Sequence, residues 1–231
     1  MRRLLIKVCG MSDQAALDAA GSADYCGFIF HPASPRFVTP EAAGRLDARG
    51  LARVGVFVRA DLETMARTAE LARLDLLQMH GDQEPDEMAT ARDLAQRRTG
   101  RRIGMIRVLW PARHAQAEDL AEAVAREAER YAGVTDLFLL EAGVSGGGSG
   151  HAQDPRLLAG VSLPRPWLLA GGLGSENALD ATAILAQNPT FAGLDLNSGL
   201  EDAPGQKNPD KIRALLHAVR AAEPQPRKEC L

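Results

Sequence analysis

The sequence predicts an α/β protein folded as a single-domain (β/α)8 TIM barrel, and three observations predict it. Eight short apolar runs alternate with helix-like segments along the whole chain, the pattern of a parallel sheet with crossover connections. The length of 231 residues suits an eight-stranded barrel of ~250 residues. Polar residues within the runs recur on one side-chain parity and near one end, as a site at the C-terminal ends of barrel strands requires. A doubly wound open sheet is the alternative. It normally leads with a glycine fingerprint after its first strand, whereas here Gly10 stands alone.

The first strand spans Leu4 to Gly10. Alternation puts Leu5, Lys7 and Cys9 on one face and Leu4, Ile6 and Val8 on the other. Taken alone, this reads first as an edge strand with Lys7 in water and Cys9 as a small core residue, and as the lining of a site only once the other strands show the same pattern. Ser12-Asp13 caps a helix running to Ala20, and Tyr25–Phe30 is the second strand. Thr39-Pro40-Glu41 opens the next helix, with proline in its first turn where its missing N–H costs nothing. Arg53–Val58 is the third strand, followed by a helix from Asp61 to about Ala72. Leu74–Gly81 is the fourth, with a helix from Pro85 to Arg97, and Ile103–Leu109 the fifth, with a long helix over 115–132. Asp136–Glu141 and Pro166–Ala170 are the sixth and seventh strands. A helix over 175–187 leads to the eighth, Phe191–Asn197, and the last helix runs from Asp210 to Ala221. The barrel thus occupies 1–222. The polar, proline-broken segment 223–231 reads as a disordered tail.

Composition excludes several classes. With 27 basic and 30 acidic residues there is no basic stripe for nucleic acid or for a membrane surface. No apolar run approaches the ~20 residues of a membrane span. Cys9, Cys26 and Cys230 have neither CxxC spacing nor an even count, which points to a reducing compartment, the cytoplasm. His31, His80, His114 and His151 lie on separate loops without ligand spacing, so no metal site is indicated.

The parity of the first strand recurs in the others. Gln78 and His80 share a face of the fourth strand, the fifth offers Arg107, the sixth ends in Glu141, and the eighth carries Asp195 and Asn197 together. All are expected to face the barrel axis beside Lys7 and Cys9. Closure makes the first and eighth strands neighbours, so Lys7 and Asp195 are expected to pair beneath Cys9. A cation there favours the thiolate and lowers its pKa. Two glycine-rich loops follow the last two strands, Gly171-Gly172-Leu173-Gly174 and Asn197-Ser198-Gly199. Loops in these positions hold phosphate through backbone N–H groups. The glycine-rich stretch 143–150 reads equally as a mobile lid and as a plain connector.

These residues, in this order, resemble the phosphoribosylanthranilate isomerase family of tryptophan biosynthesis. The resemblance is carried by Lys7-Val8-Cys9-Gly10, Ser34-Pro35-Arg36-Phe37, Gln78-Met79-His80-Gly81, Ala170-Gly171-Gly172-Leu173 and the run from Gly193 to Glu201, with Pro204-Gly205-Gln206-Lys207 after it. It implies a cofactor-free Amadori rearrangement of a small phosphosugar substrate. By that analogy Cys9 is the general base, and the carboxyl group ending the sixth strand is the general acid. Arg36 meets the anthranilate carboxylate, and the glycine loops hold the phosphate. The family usually carries aspartate at the acid's position, where this chain has Glu141. It also carries aromatic residues after its lid glycines, where this chain has none. A sister isomerase of the histidine pathway and a phosphosugar-binding barrel without turnover are the other readings. The first uses aspartate where Cys9 stands.

Overall fold

The computed structural model describes residues 3–141 and 154–223; the stretch 143–150 and the residues 224–231 of the expected tail lie outside them. Eight strands, β1 (Leu5–Val8), β2 (Tyr25–Ile29), β3 (Ala52–Phe57), β4 (Leu76–Met79), β5 (Gly104–Leu109), β6 (Leu137–Glu141), β7 (Trp167–Ala170) and β8 (Phe191–Leu196), form a closed parallel barrel in sequence order. Among the described residues seven helices accompany them: α1 (Gln14–Ala19), α2 (Pro40–Arg45), α3 (Leu62–Leu71), α4 (Pro85–Thr99), α5 (Leu120–Glu129), α6 (Ala178–Leu185) and α7 (Pro209–Ala222). A small antiparallel hairpin, β9 (Glu201–Ala203) and β10 (Gln206–Lys207), follows β8. None of the described helices is long and apolar enough to cross a membrane.

Each strand is buried on both faces, which is why the runs read as nearly continuous apolar sequence. Val54, Ile106, Val108, Leu137, Leu139 and Leu168 fill the barrel interior. Residues of the opposite parity, such as Ile6, Phe28, Met79, Phe138 and Leu194, lie under the helices. The helices begin where side chains can satisfy their first N–H groups. Asp13 accepts from Ala16 N, Asp61 from Thr64 N, Asp119 from Glu122 N, and Asn208 from both Asp210 N and Lys211 N. Arg53 works at the other helix pole. Buried beneath α2 and α3, its guanidinium donates to the Ala43, Leu46 and Ala72 carbonyls and lies 4.7 Å from the Phe28 ring centre.

Several segments differ from the sequence reading. The expected helix over 115–132 is a 3-10 turn at Pro111–His114 followed by the shorter α5. Asp119 is the cap, so the helix cannot begin before it. The helix expected over 175–187 is the eight-residue α6, because Asn177 turns back to bond Gly172 O and Gly174 N. Between β6 and β7 the described residues provide only a 3-10 turn, Pro155–Leu158. Glu223, assigned to the tail, accepts from Leu4 N and from Arg220.

Closure occurs where β8 meets β1, with Leu5 opposite Gly193 and Lys7 opposite Asp195. Arg220 of α7 fastens this seam, donating to Leu4 O and to Asp24. Gly193 is required there, because a Cβ at that position would lie 1.8 Å from Leu5 O. Gly193→Ala should therefore cost roughly 1–3 kcal/mol in urea unfolding. Unchanged stability would show that the seam can open to admit a methyl group.

Candidate active site

The site begins at the C-terminal end of β1. Lys7 is fully buried, and its Nζ donates to Asp195 Oδ1 at 2.9 Å across the seam. A buried ammonium needs such a partner. Burial alone would lower the lysine pKa, but Asp195 and then Cys9 reverse this and hold it above its ordinary value. Cys9 stands one step further up the axis, 4% exposed. Gly27 makes the room, since a Cβ on it would lie 2.9 Å from Cys9 Sγ and 3.2 Å from Lys7 Cε. The expected lowering of the Cys9 pKa is not what this environment produces. Burial pushes the thiol up, and the Lys7 ammonium opposes it without prevailing, partly because Asp195 adds to the rise. A cation already paired with a carboxylate has little field left for a neighbour.

Above Cys9 opens a cavity of about 320 Å³. Glu141, the last residue of β6, reaches it from the parity of Leu137 and Leu139. Gln78, His80, Asp195 and Asn197 also line it, as does Arg36. Burial lowers the His80 pKa to about 4, helped by the cationic side chains of Lys7 and Arg107. The ring is therefore neutral near pH 7, set edge-on to Trp110. Gln78 Nε2 lies 3.5 Å from His80 Nδ1, while Gln78 Oε1 is buried without a hydrogen bond. An open acceptor at a cavity wall suits a hydroxyl or N–H of whatever fills it.

The two glycine loops form one rim. Gly171, Gly172, Leu173 and Ser198 line the cavity. Gly171 and Gly172 have φ of +99° and +63°, which glycine adopts without strain. Gly199 supports the rim from behind, since a Cβ there would lie 2.1 Å from Leu173 O. Arg107 does not join the site. Register pairs it with Met79 and Phe138, so it faces the helix layer, where it donates to Gly81 O and lies 4.4 Å from the Tyr131 ring centre. The expectation failed on parity. Ile106 and Val108 are the inward residues of β5, and Arg107 lies between them in sequence.

Sequence reasoning gave no role to Glu201 or Lys207. Glu201 accepts from Arg36 Nε at 2.8 Å and Nη2 at 2.7 Å, and Lys207 donates to the same carboxylate at 2.5 Å. Both residues sit in the hairpin that follows β8, and the only sequence signal was their place in the resemblance. Burial raises the Glu201 pKa, but Arg36 and Lys207 outweigh it and hold the carboxylate below its usual range. Among the described residues no group of three metal-ligating side chains is placed to hold an ion.

A buried thiol and a carboxyl group at strand ends, below a glycine rim and a guanidinium, lie at the end of the barrel where barrel enzymes carry their sites. The model of the N-(5'phosphoribosyl)anthranilate (PRA) isomerase family matches residues 6–218. A relative from Desulfovibrio desulfuricans, named N-(5'-phosphoribosyl)anthranilate isomerase, is 46% identical over 222 residues, 95% of this chain and 97% of its own. The crystal structure of phosphoribosyl anthranilate isomerase from Thermus thermophilus superposes with a TM-score of 0.73 at 30% identity, over 95% of this chain and all of that one. Another isomerase of that name, solved in complex with reduced 1-(o-carboxyphenylamino)-1-deoxyribulose 5-phosphate, gives 0.70 at 26% identity, over 95% of this chain and 100% of its own. The chain belongs to the phosphoribosylanthranilate isomerase family.

The pKa direction of Cys9 is directly measurable. Thiolate absorbance of the parent chain minus that of Cys9→Ser should rise only above the ordinary cysteine value of 9.0. Cys26, pushed by burial to about 12, cancels in the difference. A transition below 9.0 would mean that Lys7 outweighs burial.

Proposed function

We propose that the chain isomerises N-(5'-phosphoribosyl)anthranilate to 1-(2-carboxyphenylamino)-1-deoxyribulose 5-phosphate, an Amadori step of tryptophan biosynthesis. The observation that carries it is the placing of Cys9 and Glu141 on one cavity, with Arg36 and the glycine rim around it. Glu141 gives its proton to the furanose ring oxygen as the C1–O bond breaks, and the nitrogen lone pair forms an iminium ion at C1. Cys9, as thiolate, takes the C2 proton, leaving a neutral enaminol. That proton is delivered to C1, and the C2 hydroxyl loses its own to restore the Glu141 acid, so substrate and product are isomers. Hydrogen moves from C2 to C1 with no outside electron acceptor.

The raised pKa of Cys9 fits this order of events. The free site holds the thiol, which loses its proton to solvent before turnover to give the base, and the iminium cation formed on ring opening adds a positive charge that favours the thiolate. Lys7 and Asp195 fix the floor under Cys9. Arg36 presents the edge of its guanidinium not held by Glu201 to the aryl carboxylate, for which its fork is suited. Gly171, Gly172, Leu173, Asn197, Ser198 and Gly199 take the phosphate through backbone N–H groups. The free Cys9 and Cys26 thiols support a cytoplasmic setting. The sister isomerase and the barrel without turnover are not favoured, since the matching family model and the relatives above carry the name of this isomerase.

Loss of phosphoribosylanthranilate fluorescence on mixing with the chain is the direct test. Cys9→Ser should lower kcat by roughly 10² to 10⁴, the usual worth of a positioned base, with little change in affinity. Near-normal turnover would remove Cys9 from the chemistry. Glu141→Gln keeps the shape without the proton and should abolish ring opening, whereas Glu141→Asp should retain activity. Normal turnover by Glu141→Gln would move the acid elsewhere. Soaked sulfate should lie between 171–174 and 197–199, and an anion found only at Arg36 would refute the phosphate assignment.

A further inference from the structure

The hairpin after β8 carries a charge balance that the reaction itself does not explain. Glu201 and Lys207 face each other across β9 and β10, and both side chains are closed to solvent. Glu201 holds Arg36 through two parallel hydrogen bonds at 2.8 and 2.7 Å. Such a pair is neutral as a unit, and a neutral unit is a poor anchor for an anion. Lys207 changes that. Its Nζ donates to Glu201 Oε1 at 2.5 Å, to Asn197 Oδ1 at 2.8 Å and to Asn197 O at 3.1 Å. Three acceptors for three protons is the geometry of an ammonium ion.

The nearest charged groups cancel in pairs, as Lys211 does with Asp202. Lys7 and Asp195 neutralise each other, and the Cys9 thiol is held protonated by burial. The cluster is also fixed in place. A Cβ on Gly10 would lie 2.9 Å from Arg36 Cδ and 3.3 Å from Lys207 Nζ, and one on Gly205 would lie 2.3 Å from Pro35 O. The hairpin turn therefore presses on the loop that carries Arg36, and the guanidinium has little freedom to find another partner.

We infer that Lys207 sets the preference of this site for an anionic aryl group, by leaving the buried Arg36–Glu201–Lys207 cluster with one net positive charge. Two cations share one carboxylate, and the uncompensated charge appears at the cavity through Arg36, the member that lines it. Lys207 is a positioning and charge-setting residue, not one that touches the reacting atoms. The inference deepens the functional reading above and rests on it, because it takes Arg36 as the carboxylate's partner.

The test compares two phosphoribosylamines made from ribose 5-phosphate, one with anthranilate and one with aniline. Both carry the phosphate and the ring, so their ratio of kcat/KM isolates the aryl carboxylate. The parent should favour the anthranilate compound, and Lys207→Met, which keeps the length and removes the charge, should cut that ratio on the order of tenfold. Adding Glu201→Gln to Lys207→Met restores one net positive charge and should restore the ratio, although the absolute rates stay low. A purely structural role would slow both substrates alike and would show no rescue. Should Lys207→Met fail to fold, Lys207→Gln reads the same ratio. An unchanged ratio in the single variant, or a double variant no better than the single, overturns the inference. A parent that turns over neither compound overturns the functional reading, and this inference with it.

Discussion

The buried ion pair between Lys7 and Asp195 is the constraint on which the rest depends. It spans the one junction not joined by a crossover connection, where the last strand returns to the first. A buried charge without its partner is costly, so a register that separates the two is disfavoured strongly. A slip of one residue would also turn each strand's polar set to the opposite face. The pair therefore fixes the closure register and, through it, the height of Cys9 in the axis. Gly193 and Gly27 complete the arrangement by removing the side chains that would occupy the same space.

From that floor the site is layered by polarity. Apolar residues fill most of the lower axis, and Cys9, His80, Glu141 and Asp195 stand toward the upper end, where the cavity begins. Confinement sets the protonation states found there. Burial pushes Cys9 up and His80 down, in each case toward the neutral form. Charge is retained only where a partner is supplied, in the Lys7–Asp195 pair and the Arg36–Glu201–Lys207 cluster. Cys9 and His80 line the same cavity in their neutral forms.

Three arginines show how far position outweighs residue type. Arg36, Arg53 and Arg107 are all mostly buried, and each finds a different set of acceptors. Arg53 satisfies helix carbonyls, Arg107 meets a loop carbonyl and a tyrosine ring, and Arg36 lies in the fork of a carboxylate at the cavity. The guanidinium is the same planar donor in each case. Only the last is placed to meet a ligand.

The sequence by itself determined the barrel and most of the ring. Strand count, side-chain alternation and helix caps are local properties, so they were legible in short stretches. Cys9, Glu141, Gln78, His80, Asp195 and the two glycine loops follow from parity and from their place at strand ends. Tertiary structure decided what depends on distance between remote segments. It turned Arg107 outward, because the inward parity of β5 belongs to Ile106 and Val108. It shortened the helices expected over 115–132 and 175–187, where side-chain bonds compete with the backbone. It reversed the direction of the Cys9 pKa, because desolvation depends on everything packed around a group and not on its nearest cation. It also brought Glu201 and Lys207 to Arg36, some 165 residues away in the chain, a meeting that no local pattern encodes.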